Sequence, residues 1–449
     1  MSRTRRIGFC PIAFQAQLGL GLLLWGLLLP RPLTAQDVSE VVPPLEGVRR
    51  IALEDALLLF EHQNLDLRIA REEAAAARAR ARSAGALRNP NFAATREQLS
   101  DGDRDYDEMV VTLNQTLEIG GQRGLRRDAA RRAADAAGAR LEAERLRLGF
   151  EVRRTFILAA LAEGNLSRLE ETTQVVRQVE QAGQARFAEG DISDFDRQRL
   201  QVERARYEDL LALARLELTQ AGRELTLLVS PDSIAAGEII LPLHPLDSLA
   251  VTIPVSDRDT FPPGAADRPD VRAARAEVEA ARDRLALAGR ERIPDITVTG
   301  GYKDQADGLQ GGVIGLSVPI PLLDRNAGRI AEAQADLANA QARADLVSRR
   351  AETDIRRAWE NYRSLARRIE QIKQDLLAGT VGLLETARIG YAEGEMTLVE
   401  LLDAAEAYRA SRELTTDLHA RYLIAIYDLD RATGASTIIR PTSRTEDQP

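Results

Sequence analysis

Two stretches of the chain alternate between apolar and polar residues. In the first, apolar side chains recur at every second position from Met109 to Leu117, with Gln115 as an exception. In the second, four apolar residues share one face: Ile314, Leu316, Val318 and Ile320. A period of two with one apolar face predicts half-buried strands. We therefore predict one β-hairpin within residues 91–118, another within 295–320, and four strands in the chain.

Long helical patterns follow the hairpins. Residues 91–230 and 322–440 contain no proline and are rich in Ala, Arg, Glu and Leu, which is typical of long helices. We predict long helices at 121–188 and 325–391, and moderate ones at 63–88, 193–229, 270–291 and 397–433. The second long helix has a heptad seam of mostly small residues: Ile330, Ala333, Leu337, Ala340, Ala344, Val347 and Ala351. Such spacing indicates a coiled coil, and a 68-residue helix is about 100 Å long.

The two halves of the chain match when the sequence is shifted by 204 positions. Residues 187–190 (FAEG) return as 391–394 (YAEG), and Arg88-x-Pro90 returns as Arg292-x-Pro294. Several ordered matches at nearly one shift indicate two equivalent halves. We predict a first repeat at 36–229, a proline-rich connector at 230–267, a second repeat at 268–434 and a disordered tail at 435–449.

The N-terminus has the pattern of an export signal. Three early arginines precede an apolar run, 18–29, that is far shorter than the ~20 residues of a membrane-spanning helix. We predict a signal peptide at 1–35, with Gln36 as the first mature residue. Cys10, the chain's one cysteine, lies within it, so the mature chain has no disulfide.

Charge and side-chain chemistry exclude several classes of protein. The net charge of −9 becomes −13 without the four arginines of residues 1–35, which disfavours nucleic acid as a partner. The three histidines, His62, His244 and His419, lie far apart, and no metal-ligand spacing or catalytic motif occurs. We therefore expect no catalytic residue, no cofactor and no resident metal. An enzyme of the envelope is disfavoured for the same reason.

Four strands with an apolar face are too few to close a barrel alone, and their open edges would leave backbone groups unpaired in lipid. Several chains must therefore share one barrel, with a helical tube about 100 Å long attached to it. The elements thus favour a duct. A non-channel coiled-coil envelope protein explains the heptads, but it does not explain the strands, the duplication or the glycine turns.

Specific motifs carry a family resemblance. They are Arg88-Asn89-Pro90, Leu113-Asn114-Gln115-Thr116-Leu117 and the two turns at 187–190 and 391–394. Together with the duplicated order of elements, they resemble the TolC-like outer-membrane efflux proteins from about residue 51 to 434. The stretch Leu117-Glu118-Ile119-Gly120-Gly121-Gln122-Arg123 is similar to a signature of the branch that serves heavy-metal pumps of the resistance-nodulation-division (RND) type.

The resemblance implies a fold and a set of partners. The fold is mainly α with a β-barrel portion, in which a homotrimer shares a twelve-stranded barrel above a periplasmic helical tunnel. The barrel would lie in the lipid of the outer membrane. The tunnel would meet a periplasmic adaptor (membrane fusion protein) and an inner-membrane RND pump. The cargo stays open between heavy-metal cations, drugs and, in a type I secretion system, proteins.

The turns are the first candidate site. Gly190 and Gly394 each end a long helix where a left-handed cap is favourable, so a tight helical turn is expected. The resemblance adds that six such turns would form the periplasmic end of a trimer, where adaptor tips dock. Three residues flank the turns and are further candidates for docking: Phe187, Tyr391 and Arg388.

Acidic residues after the turns form the second candidate site, a periplasmic gate. Asp196 and Glu400 are equivalent in the two repeats, and both fit a capping box. Asp403, one turn beyond Glu400, has no capping role. The resemblance implies that such carboxylates form acidic rings which narrow the pore. An arginine that locks the closed tip in TolC would fall at Met396, so this lock must differ here.

Overall fold

A computed structural model describes residues 47–100, 102, 105–246, 265–375 and 382–434. The predicted signal peptide at 1–35 and tail at 435–449 lie outside the described residues, as do residues 247–264 of the connector. The helices are α1 (Leu53–Gln63), α2 (Leu65–Ala84), α3 (Gln122–Glu189), α4 (Asp194–Val229), α5 (Pro231–Ala235), α6 (Pro269–Arg290), α7 (Ala327–Asp375), α8 (Leu383–Glu393) and α9 (Leu398–Thr433). The strands are β1 (Val48–Ile51), β2 (Asn91–Ser100), β3 (Asp105–Leu117), β4 (Ile239–Pro242), β5 (Ile296–Gln305) and β6 (Gln310–Ser317).

Each half contributes one antiparallel hairpin, as the alternation predicts. The four strands form one sheet in the order β2-β3-β5-β6, so the central pair, β3 and β5, joins the two repeats. Strands β2 and β6 are the edges of this sheet. The prediction of four strands in total is wrong, because six occur in the described residues: β1 and β4 form a separate parallel pair.

The apolar face of the sheet is open rather than half-buried. One row of residues crosses all four strands. In this row Phe92 pairs with Leu113, Leu113 pairs with Gly300, and Gly300 pairs with Ile314. Phe92, Leu113 and Ile314 are all exposed, and Ile314 has 92% of its surface accessible. The expectation of half-burial fails because no other described part of the chain covers this face.

The opposite face of the sheet is polar and internally hydrogen-bonded. The Thr299 hydroxyl donates to Asn114 Oδ1 at 2.6 Å, and the hydroxyls of Thr116 and Thr297 lie 3.2 Å apart. Nearer the loops, Lys303 forms an ion pair with Glu108 at 2.7 Å. The sheet therefore separates an apolar surface from a hydrophilic one.

The helices pack as neighbours in a definite order. Helices α2 and α4 pack on one side of α3, α6 and α9 pack on the other, and α7 packs beyond α6 and α9. One core lies where α1, α3 and α4 meet and includes Phe60, Phe156 and Leu225. A second lies where α3, α7 and α9 meet and includes Ile157, Trp359 and Leu423. The order leaves α2 and α4 at one edge and α7 at the other.

The predicted helices are present in the structure, with small differences in where they begin and end. The coiled-coil seam of α7 is its least exposed face, and it ends in the fully buried Ala351. The predicted helix 325–391 is described as α7 and α8, and residues 376–381 between them lie outside the description. A separate helix, α1, precedes the helix that was predicted to begin at 63. The two helices are divided at Asn64, which accepts a hydrogen bond from the Leu67 amide at 2.8 Å and caps α2.

No helix in the described part of the chain combines the length and the hydropathy that a membrane crossing requires.

Candidate gate and docking turns

Both predicted turns adopt the same left-handed cap. Gly190 has φ = 85° and Gly394 has φ = 78°. The Asp191 amide donates to the Arg186 carbonyl at 2.9 Å, and the Glu395 amide donates to the Gly390 carbonyl at 2.8 Å. These bonds satisfy carbonyls that a helix end leaves free. A Cβ added at either glycine would meet no atom within 4 Å, so backbone conformation rather than lack of room requires glycine.

The aromatic residues before the two turns have different surroundings. Phe187 is partly exposed, and the Arg197 guanidinium lies 5.1 Å from its ring centre. Tyr391 has only 6% of its surface accessible and packs with Leu200 and Leu401. Phe187 can therefore meet a partner directly, whereas burial of Tyr391 favours a role in holding the turn together.

Arg388 lies on the exposed surface of α8. Its guanidinium donates two hydrogen bonds to Glu385, at 2.6 and 3.0 Å. These hydrogen bonds lower the pKa of Glu385 below its usual value. In order to dock, Arg388 would have to release Glu385 and bind a carboxylate of the partner instead.

Asp196 and Glu400 both act as helix caps. The Ser193 hydroxyl accepts from the Asp196 amide at 3.1 Å, and the Ser193 amide donates back to the Asp196 carboxylate. Glu400 accepts from the Thr397 amide at 2.7 Å and from its hydroxyl at 2.8 Å. The bond from the backbone amide, followed by that from the hydroxyl, lowers the pKa of Glu400. Both carboxylates thus have a local structural role.

Asp403 differs from the two caps. It is exposed and forms no hydrogen bond or ion pair with any described residue, while Leu401 and Ala404 beside it are buried. Its heptad positions along α9 are Ala410, Asp417, Ile424 and Arg431, and none of these four is buried. Asp403 and Ala410 are exposed, whereas Asp417, Ile424 and Arg431 are half-buried, so this face of α9 is open mainly at the end near the turn.

Met396 takes part in the core of the second turn. Its amide donates to the Gly390 carbonyl at 3.0 Å, and its side chain packs beside Tyr391 and Leu401. A Cβ at Gly390 would lie 2.8 Å from Met396 Cγ, so the small residue makes room for the methionine. The repeat alignment did not single out Gly390, because Arg186 occupies the equivalent position.

A polar junction between sheet and helices was also missed. Arg126 donates two hydrogen bonds of 3.0 Å to Glu118, and Arg88 bridges Glu118 and Asp295 at 3.4 and 3.2 Å. Gln122 is buried and donates to the Ile293 carbonyl at 3.0 Å. The junction therefore ties the first repeat to the second. The run Gly120–Arg123 marks this junction in the sequence, but the sequence alone does not show which residues the run contacts.

The described residues hold no group of three or more His, Cys, Asp or Glu side chains able to bind a metal ion.

Comparison with known proteins agrees with these features. The family model described as "Outer membrane efflux protein" matches residues 59–230 and 265–435. The chain is 29% identical over 410 residues to the cobalt-zinc-cadmium resistance protein CzcC of Cupriavidus metallidurans, covering 88% of this chain and 93% of that protein. It is 29% identical over 287 residues to the nickel-cobalt-cadmium resistance protein NccC of Alcaligenes xylosoxydans xylosoxydans, covering 61% of each.

A solved structure shows the same fold. The open state of the MtrE outer membrane channel of Neisseria gonorrhoeae superposes with a TM-score of 0.70 and 19% identity, over 85% of this chain and 88% of MtrE. The fold is thus that of TolC-type channels, in which a helical tunnel continues a β-barrel. The chain belongs to the outer membrane efflux protein family, which consists of channel proteins of the outer membrane.

Proposed function

We propose that this chain is the outer-membrane exit duct of a tripartite efflux system. The observation that carries the proposal is the sheet, which has an exposed apolar face, a hydrogen-bonded polar face and two edges that pair with no described strand. Lipid can cover the apolar face, and water can fill a lumen lined by the polar one. Three copies would supply twelve strands to a shared barrel, and the family relationship supports this trimer.

The partners and cargo follow from the same relationship. A periplasmic adaptor and an inner-membrane RND pump would deliver the cargo to the helical end of the duct. CzcC is a cobalt-zinc-cadmium resistance protein and NccC a nickel-cobalt-cadmium resistance protein, so heavy-metal cations are the leading cargo. Drugs are a second class. An exit duct for type I protein secretion stays as the alternative, and no specific contact in the structure favours it.

The two candidate sites have separate roles in this proposal. Gly190, Gly394, Phe187 and Arg388 would form the surface that meets the adaptor, with Tyr391 supporting it from within. Asp403 would face the pore near the same end, whereas Glu400 and Asp196 would contribute mainly through their caps. The carboxylate of Asp403, which is exposed and has no partner among the described residues, supports this division.

Deletion and complementation would test the proposal. A strain that lacks the chain should accumulate more cobalt, zinc or cadmium than its parent, and the plasmid-borne chain should restore efflux. The protein should also fractionate with the outer membrane as a trimer. Unchanged accumulation of metals and drugs, with the chain absent from the outer membrane, would contradict the proposal. Loss of a secreted protein alone would favour the type I alternative.

A further inference from the structure

Each repeat contains two shorter helices that meet end to end beside its long helix. In the first repeat, Arg126 near the start of α3 donates to the Ala84 carbonyl at the end of α2, whereas Gly183 near the end of α3 packs against Leu200 of α4. Helices α2 and α4 therefore follow opposite ends of α3. The start of α2 and the end of α4 meet between them, in the core that contains Phe156.

One buried side chain joins these two ends. Asn64, which has 4% of its surface accessible, accepts from the Leu67 amide and donates from Nδ2 to the Leu228 carbonyl, each at 2.8 Å. Its own amide donates to the Phe60 carbonyl at 3.1 Å. Asn64 therefore ends α1, caps α2 and satisfies a carbonyl that the last turn of α4 would otherwise leave free. We call the contact between Asn64 and Leu228 the first joint.

The second repeat forms the same contact with a different side chain. Arg268 precedes α6 as Asn64 precedes α2, and its Nη1 donates to the Ala432 carbonyl in the last turn of α9 at 3.0 Å. A shift of 204 relates both the donor residues and the acceptor residues of the two contacts. The backbone also matches, with φ and ψ of −64° and 126° at Asn64 and of −59° and 139° at Arg268. The contact between Arg268 and Ala432 is therefore a second joint, equivalent to the first.

The charge of Arg268 is compensated where it is buried. Its Nε and Nη2 donate to the Asp270 carboxylate at 3.0 and 2.7 Å, and Asp354 of α7 lies 3.8 Å from its Nη1. A Cβ at Gly434 would lie 3.2 Å from Cγ of Arg268, so the end of α9 packs directly on the arginine. Because carboxylates balance its charge, the guanidinium can stay buried and still donate to the carbonyl of α9.

The joints connect helices that are far apart along the chain. The donor and the acceptor of each joint are separated by 164 positions, so no short stretch of backbone holds the two helix ends together. Apolar packing at these ends is not directional and lets one helix turn against the other. A hydrogen bond, which needs a defined distance and angle, does not. The joints therefore determine how the helices beside the turns are aligned with the helices that lead to the sheet.

We propose that Asn64 and Arg268 are positioning residues for passage through the duct. Each aligns a helix that leaves a turn, α4 or α9, with a helix that leads to the sheet, α2 or α6. Movement at the turn end is then transmitted to the sheet end instead of being lost where the two helices meet. The inference rests on the proposed function and names two residues, distant from both the turns and the sheet, on which that function depends.

Asn64→Asp separates the first joint from the cap. Aspartate keeps the acceptor for the Leu67 amide but has no donor for the Leu228 carbonyl. In the purified full chain, we expect amide exchange in the last turn of α4 to rise roughly tenfold, while the first turn of α2 keeps its protection. Asn339→Asp, at an exposed position of α7, is the matched control. Unchanged exchange at the end of α4 would overturn the joint.

Arg268 allows a test by rescue. Arg268→Met keeps a long side chain without donors, whereas Arg268→Lys keeps one donor group for the Ala432 carbonyl. Exchange in the last turn of α9 should rise roughly tenfold in the methionine variant and much less in the lysine variant. Arg284→Met is the matched control, because Arg284 is exposed on α6 and contacts no described carboxylate. Equal exchange in the two Arg268 variants would show that packing alone joins the helices.

Conduction distinguishes a positioning role from a purely stabilising one. Channels of the double variant Asn64→Asp with Arg268→Met should fluctuate between several conductance levels, because the two ends of the duct move independently. Unaltered channels, and those with Arg268→Lys alone, should hold one level. A double variant that assembles in normal amount and conducts at one steady level would refute the positioning role. Metal efflux by the unaltered chain tests the proposed function separately.

Discussion

Asp403 provides the sharpest test of the gate. Asp403→Asn removes one charge per copy and keeps the size of the side chain. Because Asp403 has no partner among the described residues, the substitution should change folding stability by no more than about 0.5 kcal/mol. Any large effect on conduction would then come from the pore itself.

The size of that effect follows from Coulomb's law. A cation about 8 Å from one carboxylate in water gains roughly 0.5 kcal/mol, so three carboxylates in a trimer give about 1.5 kcal/mol. This is about a tenfold preference for cations at low ionic strength. Screening at physiological salt reduces it to roughly two- to threefold. The charge of Asp403 should therefore matter most in dilute electrolyte.

Single-channel recording across a salt gradient measures this preference. We expect the reversal potential of Asp403→Asn to move towards zero, with weaker block by divalent cations. Glu400→Gln should have a smaller effect on selectivity, because its carboxylate is bound to Thr397. Glu73→Gln, an exposed carboxylate on α2, is the matched control. Unchanged selectivity of Asp403→Asn in an intact trimer would refute the reasoning and place this face of α9 away from the pore.

Three further predictions concern the turns, the junction and acid. Gly394→Ala should destabilise the protein by about 1 kcal/mol through its positive φ alone, and Gly394→Asn by less; equal losses in chemical denaturation would contradict this. Arg126→Met should cost about 1–3 kcal/mol, because it removes two hydrogen bonds from the nearly buried Glu118 side chain, and an unchanged melting curve would disprove that role. Because folding lowers the pKa of Glu400, the stability that its cap contributes is fully present above the ordinary value of about 4.3 and is lost as pH falls through the lowered pKa of the folded state. Amide exchange at the start of α9 should rise over that range, and Glu400→Gln should abolish the dependence.

Local pattern was sufficient for the elements that depend on local physics. The alternation of apolar and polar residues predicted both hairpins, because successive side chains of a strand point to opposite faces of the sheet. Gly190 and Gly394 predicted the turns, because a left-handed helix cap favours glycine. Ser193 and Thr397 predicted the N-caps, because a single hydroxyl side chain is enough to cap a helix. These features are where sequence and structure agree most closely.

Features that depend on distant contacts were not predictable in this way. Strands β1 and β4 have four residues each and pair across nearly two hundred positions, so neither shows a period of its own. Phe187 and Tyr391 are equivalent in sequence, yet only Tyr391 is buried, because their neighbours differ. The environment of a residue at the turn depends on which helix lies beside it, and a repeat alignment does not contain that information.

The open surfaces of the chain differ in chemistry, and that difference identifies what covers each of them. The sheet exposes Phe92, Leu113 and Ile314 on one face, and only an apolar medium can cover such a face without cost. The opposite face of the same sheet carries the hydroxyl contacts of Thr299 with Asn114 and of Thr116 with Thr297, which suit water rather than lipid. In the proposed assembly, lipid would therefore surround the strands, and water would fill the space that they enclose.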